Sequence, residues 1–153
     1  MPPLAELGVL ALNTGENGTS GAVIDTSEGF VYFSLTTTPG KIVRIVTSTL
    51  SRDSVISFST GEPNDDTQGP NVVIDTSTAF AYFFAATNPG QIKKVNLSTF
   101  AVGASVVGDS FFTNITTMQA ELSLNYLYCG AYTPPKIYRF TTSLVQSATL
   151  DLT

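Results

Sequence analysis

Residues 22–50, AVIDTSEGFVYFSLTTTPGKIVRIVTSTL, return at residues 72–100 as VVIDTSTAFAYFFAATNPGQIKKVNLSTF. The copies align without a gap: Asp25 falls on Asp75, Tyr32 on Tyr82 and Pro39–Gly40 on Pro89–Gly90, each 50 residues apart. A third, more divergent copy starts at Met118 and reads MQAELSLNYLYCGAYTPPKIYRF, with Glu121 and Tyr128 lying 46 residues after Asp75 and Tyr82. One residue is then missing, so Ile137, Arg139 and Phe140 fall under Ile92, Lys94 and Val95. Self-similarity of this period marks a supersecondary unit that buries its faces only by stacking on its neighbours.

Each copy divides into short β-branched and aromatic runs bounded by turn residues, the pattern of strands. Strand a is GAVID, NVVID and MQAEL; strand b is FVYFSL, FAYFFAA and YLYCGAY; strand c is KIVRIV, QIKKVN and KIYRF. A fourth strand, d, is read at residues 4–13 (LAELGVLALN), 55–62 (VISFSTGE) and 100–107 (FAVGASVV), and again in the final LVQSATLDLT. TSEG, TSTA and LSLN make the a–b turns. TTPG, TNPG and TPP make the b–c turns, where proline sets φ and glycine is able to take positive φ. No segment keeps a 3.6-residue period, so helix should be almost absent.

The expected fold is therefore all-β, with four-stranded antiparallel blades of the β-propeller type in one repeat domain. It comprises an N-terminal d strand and turn over 1–20 and blades over 21–70, 71–117 and 118–153. Three a–b–c sets accompany four d strands, and closed propellers use about 4–8 blades. The chain is then either part of a longer propeller or a subunit that finishes its architecture across a neighbour, as a closed ring or a filament.

The 153 residues are 42% hydrophobic and only 12% charged, with net charge −5. That balance gives nothing to attract nucleic acid or an anionic membrane surface. No apolar run approaches the roughly 20 residues of a membrane span, and the start, MPPLAELGVLAL, is not a convincing signal peptide. The single cysteine, Cys129, excludes an internal disulfide. Three N-x-[ST] sequons, at Asn17, Asn96 and Asn114, fall in or beside turns and are glycosylation candidates in a eukaryotic secretory setting.

Every copy carries an acid at the end of strand a (Asp25, Asp75, Glu121) and a base in strand c (Arg44, Lys94, Arg139). The acid is expected to cap the a–b turn through its carboxylate, with the basic side chain lying along the blade and its charge near that acid. A ring of ion pairs around a ligand site is the functional alternative. The pairs Phe30/Tyr32, Phe80/Tyr82 and Tyr126/Tyr128 sit at alternate positions of strand b and are read as inter-blade packing. Tyr132 and Tyr138 break the repeat and are expected at the surface, whereas Cys129 replaces an aromatic and should be a small buried hydrophobe. The chain has no histidine, which removes Ser-His-Asp and Cys-His catalysis. The acidic run Glu62–Asp66 lacks the spacing of a calcium loop and is read as solvated. No catalytic, cofactor-binding or metal-binding residue is assigned.

With these residues in place, the sequence resembles the tandem repeats of extracellular β-propellers of the YVTN/NHL-like group. Repeats of the form AVID…GFAYF…PGxIVKINLSTF occur in bacterial surface proteins and in cell-surface or appendage glycoproteins of protists and algae. The third copy departs from that form at Glu121, at Cys129 (for Phe83) and at Pro134–Pro135. The resemblance implies a location outside the cell or at its surface, and carries no shared activity. The expected function is a non-enzymatic structural module, whose partner is itself or the adjacent blades of a longer chain. A lectin-like module binding glycans is the alternative.

Overall fold

The structure is a computed structural model that describes residues 8–60, 62, 72–85, 87, 89–109, 112 and 115–152. Three four-stranded antiparallel sheets follow one another, each with its strands in chain order. Blade 1 contains β1 (Thr19–Asp25), β2 (Phe30–Leu35), β3 (Lys41–Val46) and β4 (Ser51–Ser57). Blade 2 contains β5 (Val72–Asp75), β6 (Phe80–Ala85), β7 (Gln91–Asn96) and β8 (Ala101–Val107). Blade 3 contains β9 (Ile115–Glu121), β10 (Tyr126–Ala131), β11 (Lys136–Thr141) and β12 (Gln146–Asp151). The only helix among the described residues is one 3₁₀ turn at Leu122–Leu124.

The repeat in sequence is a repeat in register. Tyr32 lies opposite Arg44, Tyr82 opposite Lys94 and Tyr128 opposite Arg139. The pairing of strand c with strand d shifts at one equivalent point in each blade, after Arg44, Lys94 and Arg139. The a–b turns end on a left-handed residue, Gly29, Ala79 or Asn125, and the c–d turns on another, Leu50, Phe100 or Leu144. A left-handed backbone is unfavourable for side chains other than glycine. Here one turn fastens the other: the N–H groups of Thr47, Leu97 and Thr142 donate to the carbonyls of Gly29, Ala79 and Asn125.

The innermost strands β1, β5 and β9 lie side by side, and the sheets stack face to face. Because side chains alternate across a strand, the middle strands carry apolar residues on both faces. Tyr32, Ile42, Val72, Phe83 and Val95 fill the core between blades 1 and 2. Tyr82, Phe84, Ile92, Phe112, Leu127, Cys129, Tyr138 and Phe140 fill the one between blades 2 and 3.

Several expectations change. Residues 8–13 enter no strand ladder, although a d strand was expected over 4–13; residues 4–7 lie outside the described residues. An outer strand pairs with strand c of its own blade, and among the described residues no such strand lies beside this segment. Instead Leu10 and Leu12 pack on the outer face of blade 1, against the cluster of Leu35, Val43 and Ile45. Glu16 holds the segment by accepting from the Asn13 N–H at 3.0 Å and from Arg52 of β4, whose Nη2 is 2.5 Å away. Strand a of blade 3 starts at Ile115 rather than Met118. Gly40 and Gly90 do not take positive φ. At Gly90 the requirement is space: a Cβ would collide with the Phe112 carbonyl and come within 2.6 Å of the Phe84 ring.

Candidate functional site

The junctions between blades bring the repeated acids, bases and aromatics together. Asp25 Oδ1 accepts from the Ser27 N–H (3.0 Å), the Ser27 hydroxyl (2.5 Å) and the Glu28 N–H (3.1 Å). Asp75 does the same with Ser77 and Thr78, adding the Thr78 hydroxyl to its second oxygen at 2.5 Å. Glu121, longer by a methylene, reaches only the Ser123 N–H (3.3 Å) and hydroxyl (2.5 Å). Burial is the largest influence on the Asp75 carboxyl and raises its pKa, but the Ser77 and Thr78 hydrogen bonds outweigh it and leave the net shift downward.

The bases do not pair with these acids. Among the described residues no ion pair joins a turn acid to the strand-c base of its own blade. Arg44 pairs with Asp53 of β4 at 2.6 Å, and its guanidinium lies 4.5 Å from the ring centres of both Phe30 and Phe100. Lys94 sits 4.1 Å from the Phe80 ring centre, and Arg139 4.4 Å from that of Tyr126. Such cation–π contacts keep a partly buried charge solvated by the ring face. Arg44 and Lys94 then reach the next blade, whereas Arg139 Nε donates to Ser147 Oγ of its own blade at 3.0 Å. Arg44 Nη1 donates to the Leu97 carbonyl at 3.4 Å, and Lys94 Nζ to the Thr142 carbonyl at 3.0 Å. Leu97 and Thr142 occupy the same place, the first residue after strand c. The Tyr82 hydroxyl donates to Thr142 as well, at 3.1 Å. Burial, reinforced by the Asp75 charge, pushes the Tyr82 hydroxyl up to about 12, so it stays a donor.

A junction is therefore a socket and a plug. The socket is two aromatics of strand b, an isoleucine and a base of strand c. The plug is the c–d turn of the following blade, offering one carbonyl and one left-handed apolar residue. Phe100 is the plug's apolar residue at the first junction, its ring centre 5.9 Å from that of Tyr32, and Leu144 plays that part at the second. The third socket, Tyr126, Tyr128, Ile137 and Arg139, is uncovered. Ile137 is 36% exposed where Ile42 and Ile92 are both 0%. Glu121 is exposed where Asp25 and Asp75 are buried.

The remaining sequence candidates fall elsewhere. Asn17 is exposed, Asn96 uses its Oδ1 to accept the Thr99 N–H at 2.9 Å, and Asn114 lies outside the described residues. Tyr132 is 72% exposed, but Tyr138 is fully buried and donates to Asp109 Oδ1 at 3.1 Å, correcting its expected surface position. Its ring fills space between Phe112 and Phe140 that the repeat assigns to Lys93 in blade 2. Cys129 is fully buried in apolar surroundings, which push its thiol up to about 12. Glu62, read as part of a solvated run, forms an ion pair with Lys93 at 2.8 Å, and residues 63–66 lie outside the described set. A polar cavity of about 230 Å³ remains at the first junction, between Asp25, Arg44 and Ser98. Among the described residues no cluster of His, Cys, Asp or Glu could hold a metal ion, and no helix is long and apolar enough to cross a membrane. Sequence alone supplied the two aromatics and the base of each socket, but nothing local marked the isoleucine or the c–d turns, because the plug's role depends on a carbonyl.

Three stacked four-stranded blades with adjoining inner strands make this a β-propeller repeat protein. Solved structures agree. The WD40 repeats of RRP9 superpose with a TM-score of 0.68 at 10% identity over 92% of this chain and 40% of that one. U3-55K gives 0.68 and 10% over 92% and 41%. The Pan2 WD40 domain of Neurospora crassa gives 0.64 and 11% over 88% and 38%. The chain thus spans about two fifths of the length of these propellers. No family model and no curated protein matches the sequence.

Proposed function

We propose that this chain is a non-enzymatic structural module whose work is to join further propeller blades, forming a larger object at the cell surface or outside the cell. The observation that carries the reading is the uncovered third socket. Two junctions bury Tyr32, Tyr82, Ile42 and Ile92 almost completely, while in blade 3 Tyr128 is only half-buried and Ile137 is exposed. Three blades fall short of the number that closes a ring, and with residues 8–13 lying on the outer face of blade 1, the outer face of blade 3 is the one left without a cover. The surface placement is supported by the low charge, the hydroxyl-rich composition and the exposed sequon at Asn17. Light scattering of the purified chain at micromolar concentration tests the joining: particles larger than 16.2 kDa support it, and a stable lone chain of 16.2 kDa refutes it.

A second reading has its own support. The chain matches about two fifths of longer propellers, which is what a stretch of blades within one larger protein would do. The cover would then be the next blade of the same polypeptide, and the role of the module that of a scaffold for protein partners.

A further inference from the structure

We infer that the outer face of blade 3 is a socket for blade 1 of a second copy of this chain, joined head to tail through the c–d turn at Thr47–Leu50. This rests on the joining role proposed above and names its surfaces. The two filled junctions within the chain define the interface chemistry. In each, a strand-c base donates to the carbonyl at the start of the next blade's c–d turn, and the left-handed residue ending that turn packs into the socket.

Both halves of one more junction stand open to a partner, with Leu50 touched on one side by Gly8 and Arg139 hydrogen-bonded to Ser147 of its own blade. The socket half is Tyr126, Tyr128, Ile137 and Arg139, with Leu150 of β12, 57% exposed, beside Ile137 in the register that Val106 holds beside Ile92. The plug half is the turn that follows β3. Thr47 corresponds to Leu97 and Thr142, and Leu50 to Phe100 and, in a turn one residue shorter, to Leu144, the left-handed residue of each c–d turn. Thr47 is exposed where Leu97 is 4% exposed, and Leu50 is 43% exposed where Leu144 is 7%. Leu50 keeps the left-handed conformation, φ 48°, that Phe100 and Leu144 adopt at φ 47° and 63°. The plug is thus already in its docking shape, which lowers the ordering cost of association. Complementary surfaces at opposite ends of one chain give a heterologous contact, able to close a ring or extend a filament.

One strand must yield when two copies join. Residues 8–13 rest on blade 1 where an outer strand rests in the filled junctions: Leu10 and Leu12 match Ile56 and Phe58, which pack against blade 2. In the joined pair this segment meets β11 of the other copy and competes with β12 for its edge. β12 has a ladder but no buried residue, and residues 8–13 have packing but no ladder. Placing residues 8–13 on β11 gives one strand both.

Complementary lesions test the contact. Ile137→Asp breaks the socket and leaves the plug; Leu50→Arg breaks the plug and leaves the socket. Both sites are exposed, and unchanged circular dichroism and melting establish that the variants fold. The expected result is that each variant alone runs at the single-chain mass, while an equimolar mixture gives a particle of twice that mass with one intact contact. If the wild-type chain assembles but the mixture stays at the single-chain mass, or either variant assembles like wild type, this interface is wrong and the joining role survives. If the wild-type chain stays at 16.2 kDa under the same conditions, the joining role falls with it.

Discussion

Asp75→Ala should cost the protein about 2–4 kcal/mol of stability. The carboxylate is 5% exposed and accepts four hydrogen bonds, from the N–H and hydroxyl groups of both Ser77 and Thr78. A hydrogen bond to a charged group contributes roughly 1.5–3 kcal/mol, so a simple sum would reach about 6–12 kcal/mol. That sum is too large for this site, because Ser77 and Thr78 are both exposed and water satisfies their donors once the carboxylate is gone. What is lost is the preorganised turn ahead of Ala79, a non-glycine residue held at φ 56°. A loss of this size lowers the melting temperature by about 5–15 °C, at roughly 2–4 °C per kcal/mol for a chain of this length. Urea unfolding followed by far-ultraviolet circular dichroism measures it. Glu121→Ala, which removes two bonds at an exposed position, should cost clearly less. An Asp75→Ala chain within about 0.5 kcal/mol of wild type, the usual range of neutral surface changes, would refute the capping argument. So would a Glu121→Ala chain that loses as much as Asp75→Ala.

The Arg52–Glu16 pair predicts a pH dependence. Its hydrogen bond from Arg52 is the largest influence on Glu16 and holds that carboxyl below its usual 4.5. A depressed folded pKa means the unfolded chain binds more protons, so the stabilisation is complete above the ordinary value and disappears as pH falls through the folded one. The stability gap between wild type and Glu16→Gln should therefore be largest near neutrality and shrink below about pH 4.5; a gap that widens on acidification contradicts the assignment. Cys129 should resist alkylation in the folded protein and react at the rate of unfolding, since the thiol is buried and its proton held to about pH 12. Immediate labelling in native buffer would show that the core between blades 2 and 3 is open.

The repeat in the sequence determined the blades. A period near 50 residues, alternation within each run and paired turn residues admit few arrangements other than stacked four-stranded sheets, because each sheet has two apolar faces to cover. The capping role of Asp25 and Asp75 was legible for the same reason: it is a local bond across two or three residues. Tertiary structure decided everything that crosses a junction. Arg44 and Lys94 read as partners of the acids in their own blade, yet they lie on aromatic rings and donate to a carbonyl of the next blade, and main-chain acceptors leave no mark in a sequence. Tyr138, out of step with the repeat, looked exposed until the third blade's packing against Phe112 placed it in the core. Residues 8–13 carry the pattern of an outer strand but form none, because a strand ladder needs a neighbour and pattern alone supplies only one side of it.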